Sequence, residues 1–421
     1  MVLADAGRFC AQGAGRVTFT NSTSRTLRVL TFSTLYPNAA NPGHGPFVEQ
    51  RLRKLVEAGG IEARVVAPVP WFPFKHARFG EYARFAAAPS GETRHGLSVA
   101  HPRYLVIPKL GMWLTPLLLA LGALPTLWKW RRQGWKFDLI DAHYYYPDGV
   151  AAGLLARWFR VPLAITARGT DLNLIADQAV PKRMILWAAG VAGASIGVCR
   201  ALADRLVQLG ANAKKVHVLR NGVDLERFVP VPQAEARARV GGPALGKRLV
   251  SVGYLIERKG QALTIAALRD LPEWHLDLVG RGPMEAKLRA LAQELGVADR
   301  VRFVGAVPQE ELRFHYAAAD LSVLASDREG WANVLLESMA CGTPVVAADI
   351  WGTPEVVQSV DAGVLFAPRT AAALGQAVAT YAPVRPAANV VRRYAEGFSW
   401  DDTTRGQQAV FATLMERRFD A

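Results

Sequence analysis

The sequence predicts an α/β protein built from two doubly wound, Rossmann-like domains that face each other across a cleft. The chain has 421 residues, which is too long for one ordinary hydrophobic core and suits two domains of about 150–200 residues each. Short apolar runs alternate with segments of helical length, the pattern of parallel βαβ units. The alternation breaks once, between Phe228 and Gly246, and then resumes, so the sequence contains two such series.

The first series predicts a domain over residues 26–228. Its apolar runs predict strands at 27–32, 63–67, 139–142, 163–167, 195–198 and 216–219. The segments between them predict helices at 47–58, 148–158, 182–192 and 201–209. Residues 1–25 have no apolar run and alternate small with polar residues, so we expect a disordered leader rather than a signal peptide.

The second series predicts a domain over residues 247–399. It follows residues 229–246, which are rich in proline, glycine and charge and predict a linker. The predicted strands are 249–252, 275–279, 301–304, 321–324 and 345–347. The predicted helices are 261–267, 284–295, 309–317 and 331–340. A last helix is expected from Trp400 to the end of the chain, residues 400–421.

Charge and cysteine content limit the classes of function. The chain has 50 Lys and Arg against 36 Asp and Glu, a net charge of +14. Such an excess fits nucleic acid, an anionic membrane or phosphate ligands. Because the basic residues are scattered rather than gathered in one tract, we expect membrane or phosphate and no nucleic acid. Cys10, Cys199 and Cys341 show neither metal-ligand spacing nor a disulfide framework, which indicates a reducing cytoplasm.

One long apolar segment, residues 110–128, needs a separate interpretation. Its 19 uncharged residues have the length of a membrane span, but Pro116 and Pro125 interrupt it. The segments on both sides belong to the same α/β domain, which a span would divide. We therefore expect a surface helix that contacts an anionic membrane, with the cations and tryptophans of residues 129–136 at the interface. An ordinary buried helix is the alternative.

The segment from Ser326 to Asp349 has the features of a diphosphate site. A helix predicted at 331–340 follows the strand at 321–324, and Gly342 and Pro344 end it. Its first amides, at residues 332–335, would bind a pyrophosphate at the carboxyl edge of the sheet.

Two acids flank these amides. Glu329 lies in the loop before the predicted helix, and Glu337 lies about 9 Å further along the helix axis at 1.5 Å per residue. One carboxylate would bind hydroxyls of a transferred sugar, and the other would bind ribose hydroxyls. Arg258 and Lys259 follow the first strand of the second domain and would neutralise the diphosphate from the same cleft. A solvated basic turn is the alternative for this pair.

These residues resemble glycosyltransferase family 4, which comprises retaining enzymes of the GT-B fold. The resemblance covers nearly the whole chain from about Leu27 and is most specific over residues 329–347; motifs at 43–45, 221–224, 259–260 and 279–283 support it. It implies transfer from a UDP- or GDP-linked sugar to a sugar or lipid-linked acceptor, as in cell-surface or extracellular polysaccharide synthesis. It also implies that the helix from Trp400 returns to the first domain. No Asp-x-Asp pair is present, so we expect no metal and no other cofactor.

The resemblance also assigns donor contacts. Glu329 would contact the donor sugar and Glu337 the ribose. Gly45 would let a first-domain loop approach the diphosphate, because glycine has no Cβ. The other donor-binding residues that it implies are Gly253, Arg258, Lys259, Gly282, Val307, Asn333, Val334 and Leu335.

Two departures from the family pattern concern charge. Tyr254 stands where many members have arginine, and Arg258 would replace that charge. Arg168 stands where many members have histidine. Arginine stays protonated and cannot act as a general base, but it binds an anionic sugar, a phosphate or a hydroxyl. A retaining front-side mechanism needs no protein base, because the leaving phosphate takes the acceptor proton.

His143 and Asp171 complete the expected catalytic group with Glu329 and Arg168. His143 would contact the acceptor or the sugar, or would cap its loop. Asp171 would orient Arg168, bind the acceptor or serve the fold alone. Taken together, the sequence predicts a cytoplasmic glycosyltransferase at the inner face of the plasma membrane. A nucleotide-sugar epimerase of the same fold and a non-catalytic anion-binding protein are the alternatives.

Overall fold

The computed structural model describes residues 26–76, 78, 80–106, 111–242 and 246–419. The predicted leader, residues 1–25, lies outside the described residues. The first-domain strands are β1 (Leu27–Phe32), β2 (Ile61–Val66), β3 (Val69–Pro70), β4 (Gly91–Arg94), β5 (Leu97–Ala100), β6 (Arg103–Tyr104), β7 (Leu139–His143), β8 (Leu163–Ala167), β9 (Ala194–Gly197) and β10 (Val216–Val218). The helices of this part are α1 (Pro46–Glu57), α2 (Glu81–Ala87), α3 (Gly111–Arg132), α4 (Val150–Phe159), α5 (Thr170–Asn173), α6 (Ala179–Val191) and α7 (Arg200–Gln208).

The second part of the chain forms another α/β unit. Its strands are β11 (Lys247–Val252), β12 (Trp274–Val279), β13 (Val301–Gly305), β14 (Leu321–Leu324), β15 (Val345–Ala348) and β16 (Gly363–Phe366). Its helices are α8 (Gln233–Val240), α9 (Gln261–Ala267), α10 (Glu285–Glu294), α11 (Leu312–Ala318), α12 (Asn333–Ala340), α13 (Thr353–Val356), α14 (Ala371–Tyr381) and α15 (Ala388–Glu396). The last helix is α16 (Trp400–Phe419).

Both main sheets are doubly wound. The first has the order β10-β9-β8-β7-β1-β2-β5-β4, in which only β4 runs antiparallel to its neighbour. The second has the order β13-β12-β11-β14-β15-β16, and its strands are all parallel. Each order reverses once, between β1 and β7 and between β11 and β14. Ligands of open α/β sheets bind at such switch points, beyond the carboxyl ends of the strands. The predicted fold class is confirmed.

The segment predicted as a linker, residues 229–246, contains a helix instead. Helix α8 packs Ala236 against Ala317 and Ala318 of α11. Arg237 is bonded to Asp320, 2.9 Å away, so α8 is fastened to the second domain. This short helix was not predicted, because prolines precede it and glycines follow it in the sequence.

The last helix returns to the first domain, as the resemblance implied. Val410, Phe411 and Leu414 of α16 are buried in one hydrophobic cluster with side chains of α1 and β1. The polar Gln407 of α16 lies within the first domain, where its amide donates to Asp141 over 2.8 Å. Burial of this apolar stripe holds the C-terminus against the first sheet.

Helix α3 is half-buried. Leu119, Ala123 and Leu127 point into the core. The opposite face is exposed; it consists of Met112, Trp113, Leu114, Leu117, Leu121 and Trp128. Among the helices that the structure describes, none is long and apolar enough to cross a membrane.

The aromatic residues expected at the end of this helix are placed differently. Trp130 and Trp135 are buried, and their rings meet edge to face with centroids 5.5 Å apart. Arg64 of β2 lies over the Trp135 ring at 4.7 Å. The prediction that these two tryptophans lie at an interface was wrong, since they complete the core below the helix end.

Candidate functional site

A cavity of about 310 Å³ lies between the two domains, at the carboxyl ends of both sheets. The first domain lines it with Leu35, Phe47, Tyr144, Arg168, Gly169, Thr170, Asn173, Val198 and Asn221. The second domain lines it with Arg258, Lys259, Glu329, Gly330, Trp331, Ala332, Asn333 and Val334. The loops after β11 and β14 therefore meet here, at the switch point of the second sheet.

Glu329 is held as a carboxylate at this point. It is buried, and its Oε1 accepts from Lys259 Nζ over 2.6 Å and from Ser326 Oγ over 2.7 Å. Arg258 lies 3.8 Å from Oε2. Burial alone would raise the pKa of Glu329, but the charges of Lys259 and Arg258 and the hydrogen bonds outweigh it and leave the pKa below its ordinary value. These contacts fix the position of the carboxylate.

The two domains touch beside Glu329 through backbone atoms. A Cβ on Gly330 would collide with the carbonyl oxygen of Arg168, across the domain boundary. On the first-domain side, Gly45 has φ +68 and starts α1 in the left-handed region. A Cβ there would lie 2.5 Å from the carbonyl oxygen of Leu35, which lines the cavity. Glycine at 45 thus lets this loop close on itself.

Helix α12 begins two residues later than predicted. Its first residue is Asn333, and Ala332 precedes it with non-helical angles. The amide of Asn333 donates to Trp331 O and the amide of Leu335 to Ala332 O, each over 3.0 Å. The prediction that all four amides of residues 332–335 are free was wrong, because a tight turn before the helix uses two of them. Asn333 and Val334 still line the cavity, whereas Leu335 is fully buried.

Glu337 lies one turn further along α12 and differs from Glu329 in its charge state. Tyr316 donates from its hydroxyl to Glu337 Oε2 over 3.0 Å. Burial raises the pKa of Glu337 to about 7, and the Tyr316 hydrogen bond offsets only part of that effect. The charge of Arg227 also lowers this pKa, whereas the charge of Asp224 raises it. The pair therefore combines one fixed carboxylate with one that titrates near neutrality.

Arg168 occupies the first-domain wall of the cavity. Its guanidinium is buried; Nη1 donates to Asn221 Oδ1 over 3.1 Å and Nη2 to His143 Nδ1 over 2.6 Å. The ring of Phe47 lies 5.3 Å from its Cζ. Asn221 in turn donates to Asn333 Oδ1 over 3.3 Å, which links this wall to α12.

His143 supports Arg168 from behind and does not line the cavity. Its Nε2 lies 3.2 Å from Asp141 Oδ2, so the Nε2–H tautomer leaves Nδ1 free to accept from Arg168. Burial lowers the pKa of His143 to about 4, which keeps the ring neutral. Gln407 also donates to Asp141 and accepts from Arg51 over 2.7 Å. No sequence pattern indicates this chain of buried contacts, because its members are up to 356 positions apart.

Asp171 caps the loop that carries Arg168. Its carboxylate accepts from the amides of Arg168 at 3.1 Å, Gly169 at 2.8 Å and Tyr145 at 2.8 Å. Asp171 is fully buried, and the donors in all three of these hydrogen bonds are backbone amides. Of the roles considered for Asp171, this geometry corresponds to shaping the loop.

Six of the predicted donor residues do not line the cavity: Leu335, Glu337, Gly45, Gly253, Gly282 and Val307. Gly253 follows β11 with φ +153, and Gly282 packs where a Cβ would meet the backbone of Leu255. Val307 follows β13 and is partly buried, and Gly45 lies behind Leu35. The structure brings together Arg168, Arg258, Lys259, Glu329, Asn333 and Val334 in one cavity. Tyr254, in contrast, is exposed.

Several lining residues were not predicted. Tyr144, Asn173 and Phe47 line the first-domain wall, and Ser326 holds Glu329. Ser326 had a signal, since it lies three residues before Glu329 in the same loop. The others had none, because their approach to the cavity depends on how the segments after β1, β7 and β8 fold. Within the described ranges, no group of three or more His, Cys, Asp or Glu could hold a metal ion.

Comparisons with known proteins agree with this geometry. Residues 43–227 match the family described as Glycosyltransferase Family 4, and residues 233–397 match the one described as Glycosyl transferases group 1. A D-inositol 3-phosphate glycosyltransferase from Acidothermus cellulolyticus is 33% identical over 68% of this chain and 70% of its own.

Two further similar proteins differ in how much of this chain they cover: the first covers about half of it, and the second covers nearly all of it. A GDP-mannose-dependent alpha-(1-6)-phosphatidylinositol monomannoside mannosyltransferase from Mycolicibacterium smegmatis is 38% identical over 48% of this chain and 56% of its own. Sucrose-phosphate synthase from Thermosynechococcus elongatus superposes with a TM-score of 0.75 at 24% identity, over 93% of this chain and 100% of that one. The chain belongs to glycosyltransferase family 4 and has the GT-B fold of that family.

Proposed function

We propose that the protein transfers a sugar, with retention of anomeric configuration, from a UDP- or GDP-linked donor to an acceptor on a lipid carrier, in cell-surface or extracellular polysaccharide synthesis. The observation that carries this proposal is the fixed Glu329 carboxylate, which Lys259 and Ser326 hold in the loop before α12. The names of the two curated relatives, which contain inositol 3-phosphate, GDP-mannose and phosphatidylinositol, support a nucleotide-linked donor and a lipid-linked acceptor.

The chemistry proposed is a front-side displacement. The acceptor oxygen bonds to the anomeric carbon, the bond from that carbon to the diphosphate oxygen breaks, and the acceptor proton passes to the departing phosphate. Arg258 and Lys259 would neutralise the diphosphate, and Glu329 would position the sugar hydroxyls. The first-domain wall offers Arg168 where a base would stand, and the neutral His143 lies behind it. This arrangement supports a mechanism in which the leaving group, not the protein, accepts the proton. In this mechanism Arg258 and Lys259, rather than a metal ion, neutralise the charge of the diphosphate.

A panel of nucleotide sugars tests this function. We expect the melting temperature to rise with either UDP or GDP and with the matching sugar nucleotides, by the few degrees that saturation of one site at a hundred times Kd produces in a chain of this size. We also expect no change in the donor sugar when no acceptor is present. Release of an altered sugar without acceptor would indicate the epimerase alternative, and no response to any nucleotide would favour a non-catalytic protein.

We also propose that the protein lies at the inner face of the plasma membrane through helix α3. Trp113 is 59% exposed and Leu121 is 51% exposed, on the face that also carries Leu117. Lys129 and Arg132 follow at the exposed end of the helix. An exposed apolar face beside cations is the pattern of a helix that lies in a lipid interface.

Replacement of Trp113, Leu117 and Leu121 by serine in one variant is expected to weaken binding to phosphatidylglycerol vesicles by about a hundredfold or more, since each of the three side chains loses on the order of 1–3 kcal/mol of apolar burial. Co-sedimentation measures the bound fraction. Leu119 must be left intact, because it is fully buried in the core.

The control for this variant replaces Val360 and Val384, two highly exposed valines of the second domain, by serine. We expect vesicle binding of this control to equal that of the wild type. Equal binding by the α3 variant and the wild type would show that α3 is not the contact.

A further inference from the structure

Arg168 carries a buried positive charge whose direct partners are neutral. Both hydrogen bonds of its terminal nitrogens go to uncharged acceptors, an amide oxygen of Asn221 and a ring nitrogen of His143. Its Nε has no hydrogen-bond partner among the described residues. The nearby carboxylate of Asp171 is occupied by backbone amides. A buried guanidinium without an ion partner is costly unless a ligand supplies the anion.

The cations on the opposite wall differ in this respect. Lys259 pairs with Glu329 over 2.6 Å, and Arg258 lies 3.8 Å from the same carboxylate. The charges that act on Arg168 come from Arg51, Asp141 and Asp171, which all belong to the first domain. Among the described residues of the first domain that line the cavity, none is Asp or Glu. The first-domain half thus combines one unpaired cation with neutral hydrogen-bonding groups such as Tyr144, Thr170 and Asn173.

We propose that the acceptor is a polyol or sugar that carries an oxyanion, either phosphate or carboxylate, and that Arg168 binds this group. The neutral side chains around Arg168 would bind the acceptor hydroxyls. His143 and Asn221 are positioning residues, since they fix the guanidinium plane in the orientation that pairs with an oxyanion. The proposal rests on the glycosyl transfer proposed above and adds the charge of its acceptor.

The experiment uses the full chain, saturated with whichever of UDP and GDP raises its melting temperature. Isothermal titration then compares two matched pairs of probes: myo-inositol 3-phosphate against myo-inositol, and glucuronate against glucose. We expect the charged member of at least one pair to bind about ten- to a hundredfold more tightly, the range of a hydrogen bond to a charged group. The pair with the larger ratio of Kd values shows whether the oxyanion of the acceptor is a phosphate or a carboxylate.

Two variants assign this preference to Arg168. In Arg168→Gln the ratio within each pair should fall to near one, while the Kd of the nucleotide stays within about twofold of the wild type. Arg168→Lys keeps the charge without the planar fork and should retain part of the preference. Circular dichroism confirms that both variants are folded, and the lysine variant keeps the test open if glutamine unfolds the chain.

Three results would overturn the proposal. The first is a wild type that binds neutral and charged probes equally. The second is an Arg168→Gln variant that keeps the preference for the charged probe. The third is an Arg168→Gln variant whose nucleotide binding weakens by the same factor as its binding of the charged probe, which would place the guanidinium on the donor. The nucleotide titration is read separately. A wild type that binds no nucleotide would contradict the proposed function itself, and this result differs from the other three.

Discussion

Replacement of Glu329 by glutamine is expected to lower kcat/KM for sugar transfer by about a hundred- to a thousandfold, the usual effect of removing one preorganised charged group from an active site. Glu329 is the carboxylate that faces the cavity at the switch point of the second sheet, and Lys259, Ser326 and Arg258 fix it there. Glutamine preserves its shape and accepts from Ser326, but it removes the negative charge that would orient the sugar hydroxyls.

The fold should survive this change. Glutamine leaves Lys259 and Arg258 without their partner, and both side chains are only partly buried, so water can solvate them. We expect a modest loss of stability and an unchanged circular dichroism spectrum. The matched control is Glu257→Gln, the same change at an exposed acid of the neighbouring loop, which should leave turnover unchanged. Wild-type turnover by Glu329→Gln would remove the main support for the proposed donor site.

Much of the fold follows from local pattern. Strands β1, β8 and β14 and helix α9 have the predicted bounds, because each is a short apolar or amphipathic run between clear breakers. The elements that were not predicted are short or exposed. Strands β3 and β6 have two residues each, and β4 is an edge strand whose side chains alternate between exposed and partly buried. Such segments pair because the neighbouring backbone is in place, and their own sequences carry little signal.

The site divides in the same way. The second-domain half lies on consecutive residues after β11 and β14, so spacing along the chain located Lys259, Glu329 and Asn333. The first-domain half depends on side chains from distant segments. His143 was expected either to contact the ligand or to cap its loop, and in the structure it lies between Asp141 and Arg168. Sequence spacing cannot show which of two residues at a sheet edge faces the ligand and which stands behind it.

The second acid, Glu337, should make nucleotide affinity depend on pH. Its pKa of about 7 in the free protein means that about half of the molecules are protonated at neutrality. Ribose hydroxyls donate to the carboxylate, so a bound nucleoside favours the charged form and lowers this pKa. Affinity is then full above pH 7 and falls by about tenfold per pH unit below it, until the pKa of the complex is reached. Titration of UDP or GDP between pH 5 and 8 measures this slope.

The stability of the free protein should depend on Glu337 with the opposite sign. Because burial raises its pKa from the ordinary value of 4.5, folding favours the protonated acid. That contribution is present below about pH 4.5 and is lost as the pH rises through 7.

Glu337→Gln, which stays neutral, should therefore bind nucleotide with a flatter pH profile and gain stability over the wild type above pH 7. His143 and Asp148 also titrate with shifted pKa values, but they are common to both proteins and cancel in the difference. A nucleotide affinity that keeps the wild-type slope in Glu337→Gln would assign the proton to another group and remove Glu337 from the ribose.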